Sequence, residues 1–199
     1  MKKTLSLALI LCLCLALASC GSTTLSGEPT AFINANKSFS IELPAEETEG
    51  EEASWIINEE TDGDILDMTD SAETVRVIVH GVSKAKVSRI AADFEGYKTY
   101  AAETVMADLI KGANMKDASF EVPEFVKNSS SSTFSAKKTE GAIVFMETEK
   151  AYYTYLIVAA EGGYNGNEKA LKASVLSLKE LPTGAPAEEK AEESSEKAE

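Results

Sequence analysis

Hydrophobic and polar residues first alternate at residues 37–44, where Phe39, Ile41 and Leu43 share one side of a half-buried strand that Pro44 is expected to stop. An acidic loop over 45–52 follows. Two short apolar runs, 54–59 and 65–70, flank Thr61-Asp62-Gly63-Asp64, the signature of a hairpin. The next strand, 74–82, sets Val75, Val77 and Val79 on one face and Arg76, Ile78 and His80 on the other. The period then changes. Ile90, Phe94, Tyr97, Ala101, Val105, Leu109 and Ile110 recur at three- and four-residue steps, which predicts one amphipathic helix over 88–113, with Gly96 a point of bending or division.

Strands are expected again at 120–126, 132–138, 142–148 and 151–160. The turn Thr139-Glu140-Gly141 joins two of them, and a polar serine loop covers 128–132. Residues 151–160 hold the most apolar run, as expected of a central strand. Asn167 is the expected N-cap of a last helix in which Leu171, Ser174, Val175, Leu178 and Leu181 share a face. Strands joined by hairpins with few helices between them predict an α+β domain, an antiparallel sheet covered by two helices.

The pattern occupies only part of the 199 residues. Residues 21–31 are small, polar and aperiodic and read as a tether that could extend to about 40 Å. Residues 182–199 are rich in Glu, Lys and Ala, with too little apolar surface to offset their ordering entropy; they read as an acidic, disordered tail. The folded domain is therefore expected at 32–181, large enough for a core without disulfides.

Residues 1–19 read as a cleaved leader. Lys2 and Lys3 form a positive head, and the apolar run from Leu5 to Leu17 is the length of a secretory signal and short for a membrane span. The run ends Leu17-Ala18-Ser19-Cys20, which resembles the lipobox of bacterial lipoproteins. Cys12 and Cys14 follow bulky leucines, whereas Cys20 follows Ala18 and Ser19, so only Cys20 suits a cut at a small residue. The resemblance implies a diacylglyceryl group on Cys20, cleavage before it, and a body held on the extracytoplasmic face of a bacterial membrane. The alternative is an ordinary leader that leaves Cys20 a free thiol.

The strand at Phe39, the Trp55-bearing strand, the helix after 74–82 and the hairpins that end in 151–160 and a last helix resemble the PsbP-like α/β/α sandwich. That family includes extrinsic proteins of the photosynthetic oxygen-evolving complex and many bacterial lipoproteins. The resemblance implies a binding or accessory domain rather than an enzyme, and it carries no functional residue across.

Charge removes several other functions. With 33 Asp and Glu against 19 Lys and Arg, the formal charge is −14, and scattered basic residues do not suit a phosphate backbone, so nucleic acid is not an expected partner. A single histidine, and three cysteines without ligand spacing past the leader, exclude a structural zinc; no metal or other cofactor is expected. Registering Asn58, Glu60, Asp62, Gly63 and Asp64 as a calcium loop puts Thr69 where a bidentate Glu is needed, so a hairpin turn explains this acidic stretch better than an EF-hand.

His80 lacks a recognisable nucleophile, and beside Arg76 it reads as a surface residue. Residues 162–166, rich in glycine, lack the spacing of a phosphate cradle and read as a turn. Of the six tyrosines, Tyr97, Tyr100, Tyr152, Tyr153, Tyr155 and Tyr164, alternation allows only some into a core, and the others could contact protein or glycan. The expected function is a non-catalytic binding or accessory lipoprotein with an envelope protein as partner. The rivals are a secreted hydrolase using acidic loop residues, which needs two convergent carboxylates in a cleft, and a small-ligand-binding lipoprotein.

Overall fold

Val75, Val77 and Val79 do share a face, and that face decides the architecture. A computed structural model describes residues 24–46, 55–58, 62–104, 106, 112–136 and 138–182. In chain order the strands are β1 (Leu25–Ile33), β2 (Phe39–Glu46), β3 (Ile56–Ile57), β4 (Ile65–Thr69), β5 (Val75–Ser83), β6 (Asn114–Asp117), β7 (Asn128–Ser135), β8 (Thr139–Glu147), β9 (Ala151–Ala160) and β10 (Lys179–Glu180). The helices are α1 (Lys84–Val87), α2 (Phe94–Thr104) and α3 (Gly163–Leu176).

Every strand pair is antiparallel. One sheet runs β3-β4-β5-β9-β8-β7-β6, with the apolar strand β9 at its centre as expected; a smaller sheet runs β1-β2-β10. The domain is an antiparallel α+β fold.

On one face of the large sheet, Val75, Val77, Val79, Val144, Tyr155 and Ile157 pack with Phe39, Ile41 and Leu43 of β2 and Leu171 and Val175 of α3. On the other face, Ile78, Ile143, Leu156 and Val158 form one cluster, and Val82 and Tyr152 join Tyr97 and Ala101 of α2 in another. Tyr97 stacks on Tyr152 at 4.7 Å between ring centroids and hydrogen-bonds Thr154 at 2.7 Å. The tyrosines are thus divided between two covered faces. Tyr97, Tyr152, Tyr153, Tyr155 and Tyr164 are all buried, because alternation excludes a residue from the core only when one face meets water.

Several expectations are corrected. The helix expected over 88–113 is shorter: α2 starts at Phe94, where Asp93 caps the N–H of Gly96 at 2.8 Å, and α1 is a separate single turn before it. Val105, Leu109 and Ile110 lie outside the described residues. Residues 120–126 are irregular rather than a strand, since Pro123 removes a backbone donor and Val126 closes a turn onto its carbonyl.

The serine stretch at 128–132 belongs to β7, not to a loop. It pairs with β8 along its whole length and meets β6 at Ser132, and this pairing overrides its lack of apolar alternation. Gly141 sits inside β8 rather than in a turn; a Cβ there would meet the Ile157 carbonyl oxygen at 1.9 Å. Pro44 does not stop β2, which continues to Glu46. It pairs with Pro29 where β1 is the only strand neighbour, a site that tolerates a missing donor. Helix α3 begins at Gly163 after Gly162 at φ 85°, four residues before the expected cap at Asn167.

Arg76 is buried rather than exposed. Its Nε and Nη2 donate to Asp67 Oδ1 and Oδ2 at 2.8 and 2.5 Å, a two-pronged pair between β5 and β4. Removing the carboxylate from such a site strands a cation in the interior. Asp67→Ala should therefore cost about 3–5 kcal/mol in urea unfolding, while the double change Asp67→Leu with Arg76→Met costs far less.

Candidate functional site

The strongest polar organisation outside the core joins the small sheet to one end of the large one. Asn34 is buried in the β1–β2 turn, where its Oδ1 accepts the N–H of Ser38 and Phe39 at 2.9 and 3.0 Å. Its Nδ2 donates across to the Gly63 carbonyl at 2.6 Å. Asn36 repeats the connection, its N–H on the Gly63 carbonyl at 3.2 Å and its Nδ2 on Asp64 Oδ1 at 2.8 Å. The second oxygen of Asp64 takes the Lys86 ammonium from α1. Two asparagines, one carboxylate and one lysine therefore clasp three segments distant in sequence.

His80 stands beside this clasp, paired across the ladder with Ile65; its Nδ1 is enclosed and makes no hydrogen bond. Burial pushes the imidazole below its usual 6.5, and the nearby Asp64 and Asp62 oppose the shift only in part. Burial also pushes the Asp64 carboxyl up, but hydrogen bonds from Lys86 and Asn36 outweigh it and hold the group below its usual 3.8. His80 is thus a partly enclosed, neutral-favouring group rather than the surface residue its strand position suggested.

A groove of about 470 Å³ opens next to the clasp, lined by Ser38, Asp64, Lys86, Lys150, Tyr153 and Glu180 among others. It contains two carboxylates. Asp64 is held in its ionised form, and Glu180 Oε1 accepts Thr148 Oγ1 at 2.6 Å and the Tyr153 hydroxyl at 3.3 Å. Both already serve the fold, and Asp64 is tuned away from the raised pKa that a general acid needs.

A second groove, about 480 Å³, runs between β1 and α3, bordered by Thr24, Leu25, Pro29, Gly166, Ala170 and Ala173 among others. At its inner edge the backbone N–H of Leu25 donates to Asn167 Oδ1 at 2.7 Å, while Asn167 Nδ2 donates to the Gly163 carbonyl at 3.0 Å. The expected tether at 21–31 is therefore largely strand. From Leu25 onward it is tied to α3 and zipped onto β2, and a segment without apolar alternation forms a strand because its partner supplies the ladder.

The other residues singled out from the sequence are dispersed. Cys20 and the tail beyond Pro182 lie outside the described residues, as do Glu59 and Glu60 of the acidic stretch. Asp67 is committed to Arg76 and Asp64 to Lys86, so the hairpin carboxylates point to protein partners. Among the described residues, no group of three or more His, Cys, Asp or Glu is placed to hold a metal ion. Residues 162–166 form a turn and the first turn of α3. Asn34, Asn36 and Asn167 carry no sequence signal of their clasping role, because their partners are 29, 28 and 142 residues away.

No family model matches the chain, and the curated proteins contain no match to it. Among solved structures it is similar to a protein from Bacteroides thetaiotaomicron, at 12% identity and a TM-score of 0.45, over 78% of this chain and 49% of that one. It thus spans about half the length of that protein. It is also similar to cyanobacterial PsbP (CyanoP) from Synechocystis sp. PCC 6803, at 13% identity and a TM-score of 0.45, over 83% of this chain and 99% of that one.

A histidine held neutral contributes stability that is fully present above its unfolded pKa and lost as the pH falls from 6.5 toward the lower folded value. His80→Gln should flatten the fall in Tm between neutral pH and mild acid; a wild-type slope would remove His80 as its source. Asn167→Ala leaves the Leu25 N–H without its buried acceptor, and should lower stability in urea by about 1–3 kcal/mol while increasing hydrogen exchange along β1.

Proposed function

We propose that this chain is a lipid-anchored lipoprotein on the extracytoplasmic face of a bacterial cell membrane, acting as a non-catalytic binding or accessory domain for an envelope protein. The observation that carries this reading is Leu17-Ala18-Ser19-Cys20 behind a basic head and an apolar run. Two acyl chains on one residue, at about 0.8 kcal/mol per buried methylene, give an anchor that one chain does not. No described helix is long and apolar enough to cross a membrane.

The binding role is supported by what the grooves contain. Their polar groups are tied to one another and to the backbone, and Asp64 is held in its ionised form by Lys86 and Asn36, which supports a shaped binding surface. The hydrolase reading needs two carboxylates with their pKa values pushed apart. Asp64 and Glu180 share a groove, but their protein hydrogen bonds favour a structural role for both.

Expression of the full chain in a bacterial host, with mass analysis of its N-terminal peptide, tests the anchor. The expected result is a diacylated Cys20 as first residue and a protein in the membrane fraction; Cys20→Ala should appear unlipidated and keep its leader, since the cut follows lipidation. A bare thiol at Cys20 in the wild-type protein would overturn the assignment.

A further inference from the structure

The lipid anchor proposed above meets a geometric constraint that the sequence conceals. The first strand begins at Leu25, and its N–H is already bound to Asn167 of α3. Only four residues separate Cys20 from Leu25, so the link spans at most about 17 Å, against the roughly 40 Å expected of a free tether. A domain of this size is roughly 40 Å across, so a link this short cannot present every face to the bilayer. It brings down the side on which the chain enters the fold.

Thr24 and Leu25 border the groove that also reaches Lys169 and Ala173, so the entry lies next to the outer face of α3. Tyr164, Asn167, Leu171, Ser174 and Val175 of this helix turn inward, while Gly166, Lys169, Ala173 and Leu176 face outward, with Leu176 44% exposed. The groove between β1 and α3 lies along one side of this face, and a second of about 630 Å³, lined by Ser119, Glu121, Lys172 and Leu176, lies along the other. Both reach Lys169 and Ala173, so they form one continuous surface.

Its charge is unlike the rest of the protein. The two grooves carry Lys169 and Lys172 against Glu42, Glu121 and Glu168, a near-balance in a chain whose formal charge is −14. Lys172 pairs with Glu168 at 2.7 Å and rests over the Phe120 ring at 5.2 Å, and Lys179 pairs with Glu42 at 2.6 Å. A nearly neutral face with small residues, an exposed leucine and long lysine stems can approach phospholipid headgroups that would repel the acidic remainder.

We propose that the outer face of α3, with Lys169, Ala173 and Leu176 at its centre, lies against the phospholipid headgroups of the membrane that holds the anchor. The domain is docked on the bilayer rather than standing off it. This inference rests on lipidation at Cys20, and its test separates the two.

The mature chain has Cys20 as its only cysteine, so a thiol-reactive fluorophore on Ala173→Cys is specific once that residue is lipidated. The lipidated protein is reconstituted in phosphatidylethanolamine–phosphatidylglycerol vesicles carrying a nitroxide on the headgroup, with Thr99→Cys on α2, across the large sheet, as comparison. The expected result is loss of most of the emission at position 173 and little loss at position 99. A flexible Gly-Ser spacer inserted between Ser22 and Thr23 should restore emission at 173 without releasing the protein. Equal quenching at the two positions, or stronger quenching at 99, would overturn the proposal; quenching at 173 that survives the spacer would show that the face holds the headgroups by itself. Failure of the protein to float with vesicles would instead overturn the anchor.

Discussion

The constraint on which this fold depends is that its central strand is apolar on both sides. In β9, residues Tyr152 to Ala159 are buried without exception, so neither face of the large sheet can be left to water. Each face then needs a cover. Helix α2 supplies part of one through Tyr97 and Ala101, and α3 with β2 supplies the other through Leu171, Val175, Phe39 and Ile41. Glycine serves the same requirement at Gly81, where a Cβ would come within 2.6 Å of the Tyr153 ring and 2.9 Å of Phe39. The small sheet can lie this close only because that position has no side chain.

Placing two layers on one side of the sheet creates a second problem, which is how to hold the small sheet in register with the large one. Side chains solve it at both ends. Asn34 and Asn36 tie the β1–β2 turn to Gly63 and Asp64, and Asn167 ties the opening of β1 to α3. Each amide replaces a backbone ladder that the geometry does not provide. These bonds reach Leu25, so a segment with the look of a free leash is held to the fold from that residue onward.

Much of this fold was legible in the sequence. The hairpin of β3 and β4, the faces of β5, and the position of β9 followed from apolar periodicity and from Gly63 in a turn, since these depend on neighbours a few residues apart. The elements that could not be read are those whose stabilising partners are remote. The strand Asn114–Asp117 is exposed throughout, the serine strand β7 has almost no apolar side, and β1 carries no strict alternation; each is a strand because a neighbouring backbone was already in place. The helix expected over 88–113 gave way to Asp93, a local cap that overruled a longer periodicity.

The sequence by itself determined the antiparallel α+β class, the central strand, and the motif at Cys20 that suggests attachment to a membrane. Such features are written in order and spacing along the chain. Tertiary structure alone decided that Arg76 and Asp67 form a buried pair, that His80 is enclosed, that five tyrosines are core, and that residues 25–31 belong to a strand of the fold. Burial and hydrogen bonding between distant segments have no periodicity to betray them. A carboxylate facing water and one locked to a guanidinium are the same letter until the chain has folded.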